Sequence, residues 1–142
     1  MRSGHPNRLH GFTLVELLLV IAIIGVMSAL IVASVSGAAE DSRRVIARQQ
    51  QVVLQEALGA WVSAQVSGTN SLANARTAYN NASGSAAKLS LIRRYLDDST
   101  YESFTITDGK IQSEAMTKLG AYLQFSGTWT TGSYPKINMV EP

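Results

Sequence analysis

Gly11-Phe12-Thr13-Leu14-Val15-Glu16, continued by Leu-Leu-Leu-Val-Ile-Ala-Ile-Ile-Gly-Val-Met-Ser-Ala-Leu-Ile-Val from Leu17 to Val32, decides how this chain is read. Between Phe12 and Ala39 the only ionisable side chain is Glu16. The run exceeds the roughly 20 apolar residues that carry a helix across a bilayer. One membrane-spanning helix is expected.

A carboxylate near the start of such a helix needs a partner, because an ionisable group in hydrocarbon costs a few kcal/mol or more unless it is paired or reaches the surface. The nearest suitable cation is an α-amino group, created if the chain is cut between Gly11 and Phe12 and supplied by a neighbouring copy. That pairing points to assembly.

Gly11 to Val32 resembles the prepilin signature of type IV pilins and type II secretion pseudopilins: a short basic leader ending in glycine, then Phe-Thr-Leu-x-Glu, then an apolar helix. Gly25 also falls where that family usually has glycine. The resemblance implies that Gly11 ends a leader recognised by a prepilin peptidase on the cytoplasmic face. Phe12 then becomes the mature amino terminus, N-methylated by the same enzyme and still cationic. It implies further that Glu16, the fifth mature residue, pairs with the Phe12 amine of an adjacent subunit, neutralising charge and setting the stagger of one helix against the next. The pattern departs at Ala33, where many relatives carry a helix-kinking proline. Gly25 is a weaker breaker, so a straighter helix is expected.

The chain has 142 residues, 12 basic and 10 acidic side chains and a formal charge of +2. Arg2 and Arg8 lie in the leader, so the mature chain is formally neutral. The pI of about 9.1 is therefore no nucleic-acid signal. Arg76, Lys88, Arg93, Arg94, Lys110, Lys118 and Lys136 are spread out and offset by acids, so a DNA surface is disfavoured. Cysteine is absent, and both histidines, His5 and His10, fall in the leader. Disulfides and thiolate chemistry are excluded, and the mature chain lacks the commonest general base and metal ligand. Neither a catalytic residue nor a cofactor is assigned.

Residues 1–11 are read as the leader, with an uncleaved signal anchor as the alternative. Residues 12–39 form the membrane or filament-core helix, and 40–66 continue it as an amphipathic half. Together they make one element of roughly 80 Å. Its apolar stripe is placed on Ile46, Val53, Ala57, Ala60 or Trp61, and Ala64. Residues 67–142 complete a small head that covers Val53, Leu54, Ala57, Leu58 and Trp61.

Within the head, Ser67 to Asn70 reads as a loop. Ser71 is placed as the cap of a short helix Leu72–Tyr79, Asn80 to Gly84 as a second loop, and Ser85 as the cap of a helix over 86–96. Asp97 to Thr100 is expected to end that helix and open a β region. Glu102 to Thr107 alternates with period two, and Asp108-Gly109 is a two-residue hairpin signal answered by Lys110 to Ser113. A helical turn over 114–119, ended by Gly120, precedes strands over 121–125 and 136–140. The fold class is α+β: a long N-terminal helix packed against a small antiparallel sheet, pilin-like.

Asp97, Asp98, Glu102 and Asp108 raise calcium as a thought, yet their spacing is not that of an EF-hand, and no metal ligand is assigned. Trp129 and Tyr134, on the loop Ser126 to Pro135, are either an anchor packed on the sheet or an exposed contact.

Three functions suit these features. The first is a structural subunit of a type II secretion pseudopilus or type IV pilus-like filament. As the resemblance implies, it is held in the inner membrane by one span with its N-terminus cytoplasmic, then drawn into a periplasmic or cell-surface filament. Its partners would be other copies or related pilins, the prepilin peptidase, an assembly platform and ATPase, and membrane lipid. The second is a scarce subunit of the same filament whose head binds a secretion substrate, DNA or a surface. The third, a membrane-anchored enzyme, has the least support. The short head without a cysteine loop favours the pseudopilus.

Overall fold

A computed structural model describes residues 12–66 and 71–142 of the chain. Gly11 and the loop expected over 67–70 lie outside the described residues. The chain divides into two compact units, Met1–Ala39 and Glu40–Pro142.

The first helix, α1, spans Leu14–Val66, passing through Gly25, Ala33, Gly37 and Gly59 without a break. Branched and straight-chain apolar residues fill it to Val35, and all of them are exposed within the chain. Two hydroxyls in this apolar stretch are satisfied locally: Ser34 Oγ donates to the Leu30 carbonyl at 3.1 Å and Ser36 Oγ to Val32 at 2.9 Å. Such back-bonding lets serine sit in hydrocarbon without a stranded donor.

In the second unit, α1 buries Ala47, Leu54, Ala57, Leu58, Trp61 and Val62. Of the expected stripe, Ala57 and the Trp61 alternative are buried, whereas Ile46, Ala60 and Ala64 are exposed and Ala47 and Val62 join the buried face instead. The large side chains Leu54, Leu58 and Trp61, spaced by four and three, set the buried face, and small residues follow them. Each large apolar side chain so buried contributes about 1.5–3 kcal/mol.

Helix α2 spans Leu72–Asn81 and α3 spans Gly84–Ile92, followed by a 3₁₀ turn over Arg93–Tyr95. Three local expectations need correction here. Ser71 occupies the N-cap of α2 without a side-chain bond. The second loop shrinks, because α2 runs on through Asn80 and Asn81. Ser85 is not a cap: Ser83 holds that position in α3, and the buried Ser85 hydroxyl donates instead to the carbonyl of Gly109 in the hairpin turn. Leu89 and Ile92 are buried, whereas Tyr95 is exposed. Arg93 lies 4.8 Å from the centre of the Tyr101 ring.

A fourth correction concerns Asp97 to Thr100, expected to open a β region. It starts α4, Asp98–Glu102, instead. Asp97 is its N-cap, with a carboxylate that accepts from the Ser99 hydroxyl and, at 2.8 Å, from the Thr100 N–H. Those bonds hold its carboxyl down at about 2.

Strands β1, Thr105–Thr107, and β2, Lys110–Gln112, close over the turn Asp108-Gly109, whose φ values of 50° and 74° are both left-handed. Glycine takes such a conformation freely and aspartate tolerates it, which is the chemistry of this hairpin turn. Helix α5, Glu114–Leu119, is capped by the buried Ser113, which also donates to Gln50 of α1 at 2.6 Å. Gly120, at φ 70°, ends it. Strands β3, Tyr122–Phe125, and β4, Ile137–Val140, complete a four-stranded antiparallel sheet in the order β1-β2-β3-β4. The register pairs Ile111 with Leu123 and Phe125 with Ile137, and all four join α1, Tyr79, Leu89 and Trp129 in one core. The result is the expected α+β, pilin-like fold.

Strand β4 closes the sheet on one side, and its outer edge is met by α1 side chains. Gln51 Nε2 donates to the Ile137 carbonyl at 2.8 Å, Gln55 Nε2 to that of Pro135 at 3.2 Å, and the Ile137 N–H donates to Gln55 Oε1 at 2.8 Å. Two glutamines thus stand where a fifth strand would, which blunts an edge otherwise open to pairing.

Candidate assembly site

The start of α1 carries the chemistry the sequence singled out. Phe12 and Thr13 precede the helix, and Phe12 is 82% exposed. Thr13 sits at the N-cap and Glu16 three residues on. Thr13 N–H donates to Glu16 Oε2 at 2.9 Å, its hydroxyl donates to the same oxygen at 3.0 Å, and Glu16 N–H donates back to Thr13 Oγ1 at 3.3 Å. This is a reciprocal capping box, in which a threonine and a glutamate satisfy orphan N–H groups of the first turn.

Reading Glu16 only as an acid seeking a cation misses this box. Its signal lies in the sequence as Thr13-x-x-Glu16 ahead of an apolar run. The consequence is geometric. Oε2 is occupied within the chain, while Oε1 has no hydrogen bond among the described residues. A carboxylate oriented at the helix start, where the dipole favours negative charge, is left with one oxygen for an outside donor. Phe12 lies four residues before Glu16, and Gly11, the other half of the expected cut, is outside the described residues.

The apolar stretch of α1 behind this site is long and apolar enough to cross a membrane, and none of it is buried inside the chain. A greasy surface of that length is stable only in lipid or against other helices.

Elsewhere, the carboxylates weighed for calcium have structural tasks or lie apart. Asp97 caps α4 and Asp108 turns the hairpin. Among the described residues, no group of three or more His, Cys, Asp or Glu is placed to hold a metal ion.

Comparison with known proteins agrees with the motif. Residues 6–32 match the family model described as the prokaryotic N-terminal methylation motif. That match supports a type IV pilin-like or pseudopilin subunit anchored through its N-terminal helix. No curated protein and no solved structure matches the chain.

Proposed function

We propose that this chain is a structural, non-enzymatic subunit of a type II secretion pseudopilus or type IV pilus-like filament. A prepilin peptidase cuts it after Gly11 and methylates Phe12. The single span then stores it in the inner membrane, N-terminus cytoplasmic, until a platform protein and ATPase draw it into the filament. Residues 1–11, 12–39, 40–66 and 67–142 serve as leader, core helix, amphipathic half and head.

The observation that carries this reading is the open oxygen of Glu16 within the matched methylation motif, at the head of an apolar stretch of α1 that has no cover inside the chain. The Phe12 amine of the next copy completes the carboxylate's bonding and neutralises it as the helices pack. The short head without cysteine favours the pseudopilus.

Intact-mass analysis of the chain from cells with and without the peptidase tests the proposal. The expected product begins at Phe12 and is heavier by one methyl group. Retention of Met1 in peptidase-competent cells removes the reading. A second reading, a scarce subunit whose head binds a ligand, is favoured by a cleft in the head lined by Thr128, Tyr134, Lys136 and Asn138, and the number of copies per filament separates the two.

A further inference from the structure

The loop Ser126 to Pro135 divides the work of its two aromatics. Trp129 is 2% exposed and Tyr134 is 50% exposed, their rings 5.7 Å apart. The Trp129 backbone is clamped by Asn80: its N–H donates to Asn80 Oδ1 at 2.8 Å and its carbonyl accepts from Nδ2 at 3.0 Å. Its indole N–H donates to the Ser133 carbonyl at 2.7 Å, and Tyr79 meets its ring edge-on at 6.0 Å. Lys136 N–H and the Ser126 hydroxyl, joined at 3.0 Å, help close the base of the loop. A ten-residue loop fixed at this many points holds Tyr134 in place before any ligand arrives, which is how rigid scaffolds lower the entropy lost on binding.

Beside Tyr134 lies a cleft of about 560 Å³, within the size range of small-ligand sites. Its lining includes Thr128, Ser133, Tyr134, Lys136 and Asn138, and contains no carboxylate. The Lys136 ammonium, the Asn138 amide and the Thr128 hydroxyl are exposed and make no side-chain hydrogen bond or ion pair among the described residues. The cleft therefore offers one half-exposed ring, neutral donors and acceptors beside it, and an unpaired cation as the charged group of its own lining, with Glu56 lining the adjoining hollow that shares Tyr134, Lys136 and Asn138.

We propose that this cleft binds an acidic saccharide, a short uronate-bearing segment. One pyranose C–H face would lie on Tyr134, its hydroxyls would be read by Asn138 and Thr128, and its carboxylate would be held by Lys136. An aromatic with an apolar body suits the C–H face of a sugar, and the hydroxyl-rich rim suits its oxygens. The lone ammonium sets the sign of the ligand. This assignment rests on the second reading, that the head binds a ligand, and not on the filament reading, because the cleft lies wholly in the head and needs neither cleavage nor assembly.

The test titrates the full mature chain, in lipid nanodiscs, with tetragalacturonate and with neutral cellotetraose by calorimetry. Saturable binding of the uronate is expected, about tenfold tighter than of the neutral sugar. Tyr134→Ala should weaken uronate binding by about tenfold or more with near-ultraviolet circular dichroism unchanged, while Tyr134→Phe retains it. Lys136→Gln should remove the preference for the acid. Four results overturn the proposal: no saturation by tetragalacturonate at millimolar concentration, equal binding of cellotetraose, unchanged affinity of a folded Tyr134→Ala chain, or equal competition by inorganic tripolyphosphate. None of them bears on processing after Gly11.

Discussion

The two oxygens of Glu16 do different work: Oε2 closes the first turn of α1 with Thr13, and Oε1 makes no hydrogen bond among the described residues. Removing charge and removing the cap are therefore separable. Glu16→Gln keeps an acceptor for the Thr13 N–H but cannot neutralise an amine, so membrane insertion should persist while filament incorporation falls roughly tenfold or more. Thr13→Ala loosens the turn and leaves the charge, so incorporation should stay near wild type. Quantitative blotting of sheared filaments against membranes reads both, and normal incorporation of Glu16→Gln would remove the proposed pairing. At Asp97 the argument is one of pH. The Ser99 hydroxyl and Thr100 hold the folded carboxyl down at about 2, against 3.8 unperturbed. Folding thus gains from this group above pH 3.8 and loses that gain as pH falls towards 2. Melting curves of Asp97→Asn should show a weaker fall in stability across that window than the parent.

Among the elements, those legible in the sequence have a local cause, and those that escape it have a competing one. The hairpin β1–β2 can be read because Asp108-Gly109 dictates its turn by backbone conformation alone. The Gly120 stop can be read for the same reason. Helix α4 escapes because two aspartates, a serine and a threonine in succession look like a breaker, when Asp97 is the N-cap of a new helix. Ser83 and Ser85 compete for one N-cap, and the loser is spent on the Gly109 carbonyl, a tertiary contact no local pattern announces. The glutamine clamp on β4 is equally invisible, since the partners of Gln51 and Gln55 lie far along the chain, at Pro135 and Ile137, where no local pattern points. Gln55→Ala should strand the Ile137 N–H and destabilise the head by about 1–3 kcal/mol. Gly109→Ala, forced to keep φ near 74°, should lose about 1–2 kcal/mol. Thermal unfolding of each variant in detergent checks both, and a melting temperature unchanged by Gln55→Ala would show that water replaces the clamp.

For the molecule as a whole, orientation is where the sequence is balanced. Arg2 and Arg8 precede the span and Arg43 and Arg44 follow it, so the bias of positive charge towards the cytoplasm does not choose a direction. The direction proposed comes from the proposed cut after Gly11, whose peptidase would act on the cytoplasmic face. The head, with its satisfied sheet edge and single core, must then cross the membrane before the helix stops in it. The absence of cysteine makes this directly testable, because any thiol introduced is the only one. In a chain made uncleavable by Gly11→Val, Ser3→Cys and, separately, Gly127→Cys report the two sides. Gly127 is exposed and has open space around it, so the substitution should not disturb the fold. An impermeant maleimide added to spheroplasts should label the Gly127→Cys chain and reach the Ser3→Cys chain only after permeabilisation. The reverse pattern would put the leader on the side away from the peptidase. Glu16 would then have no amine to meet, and the filament reading would fall with the topology.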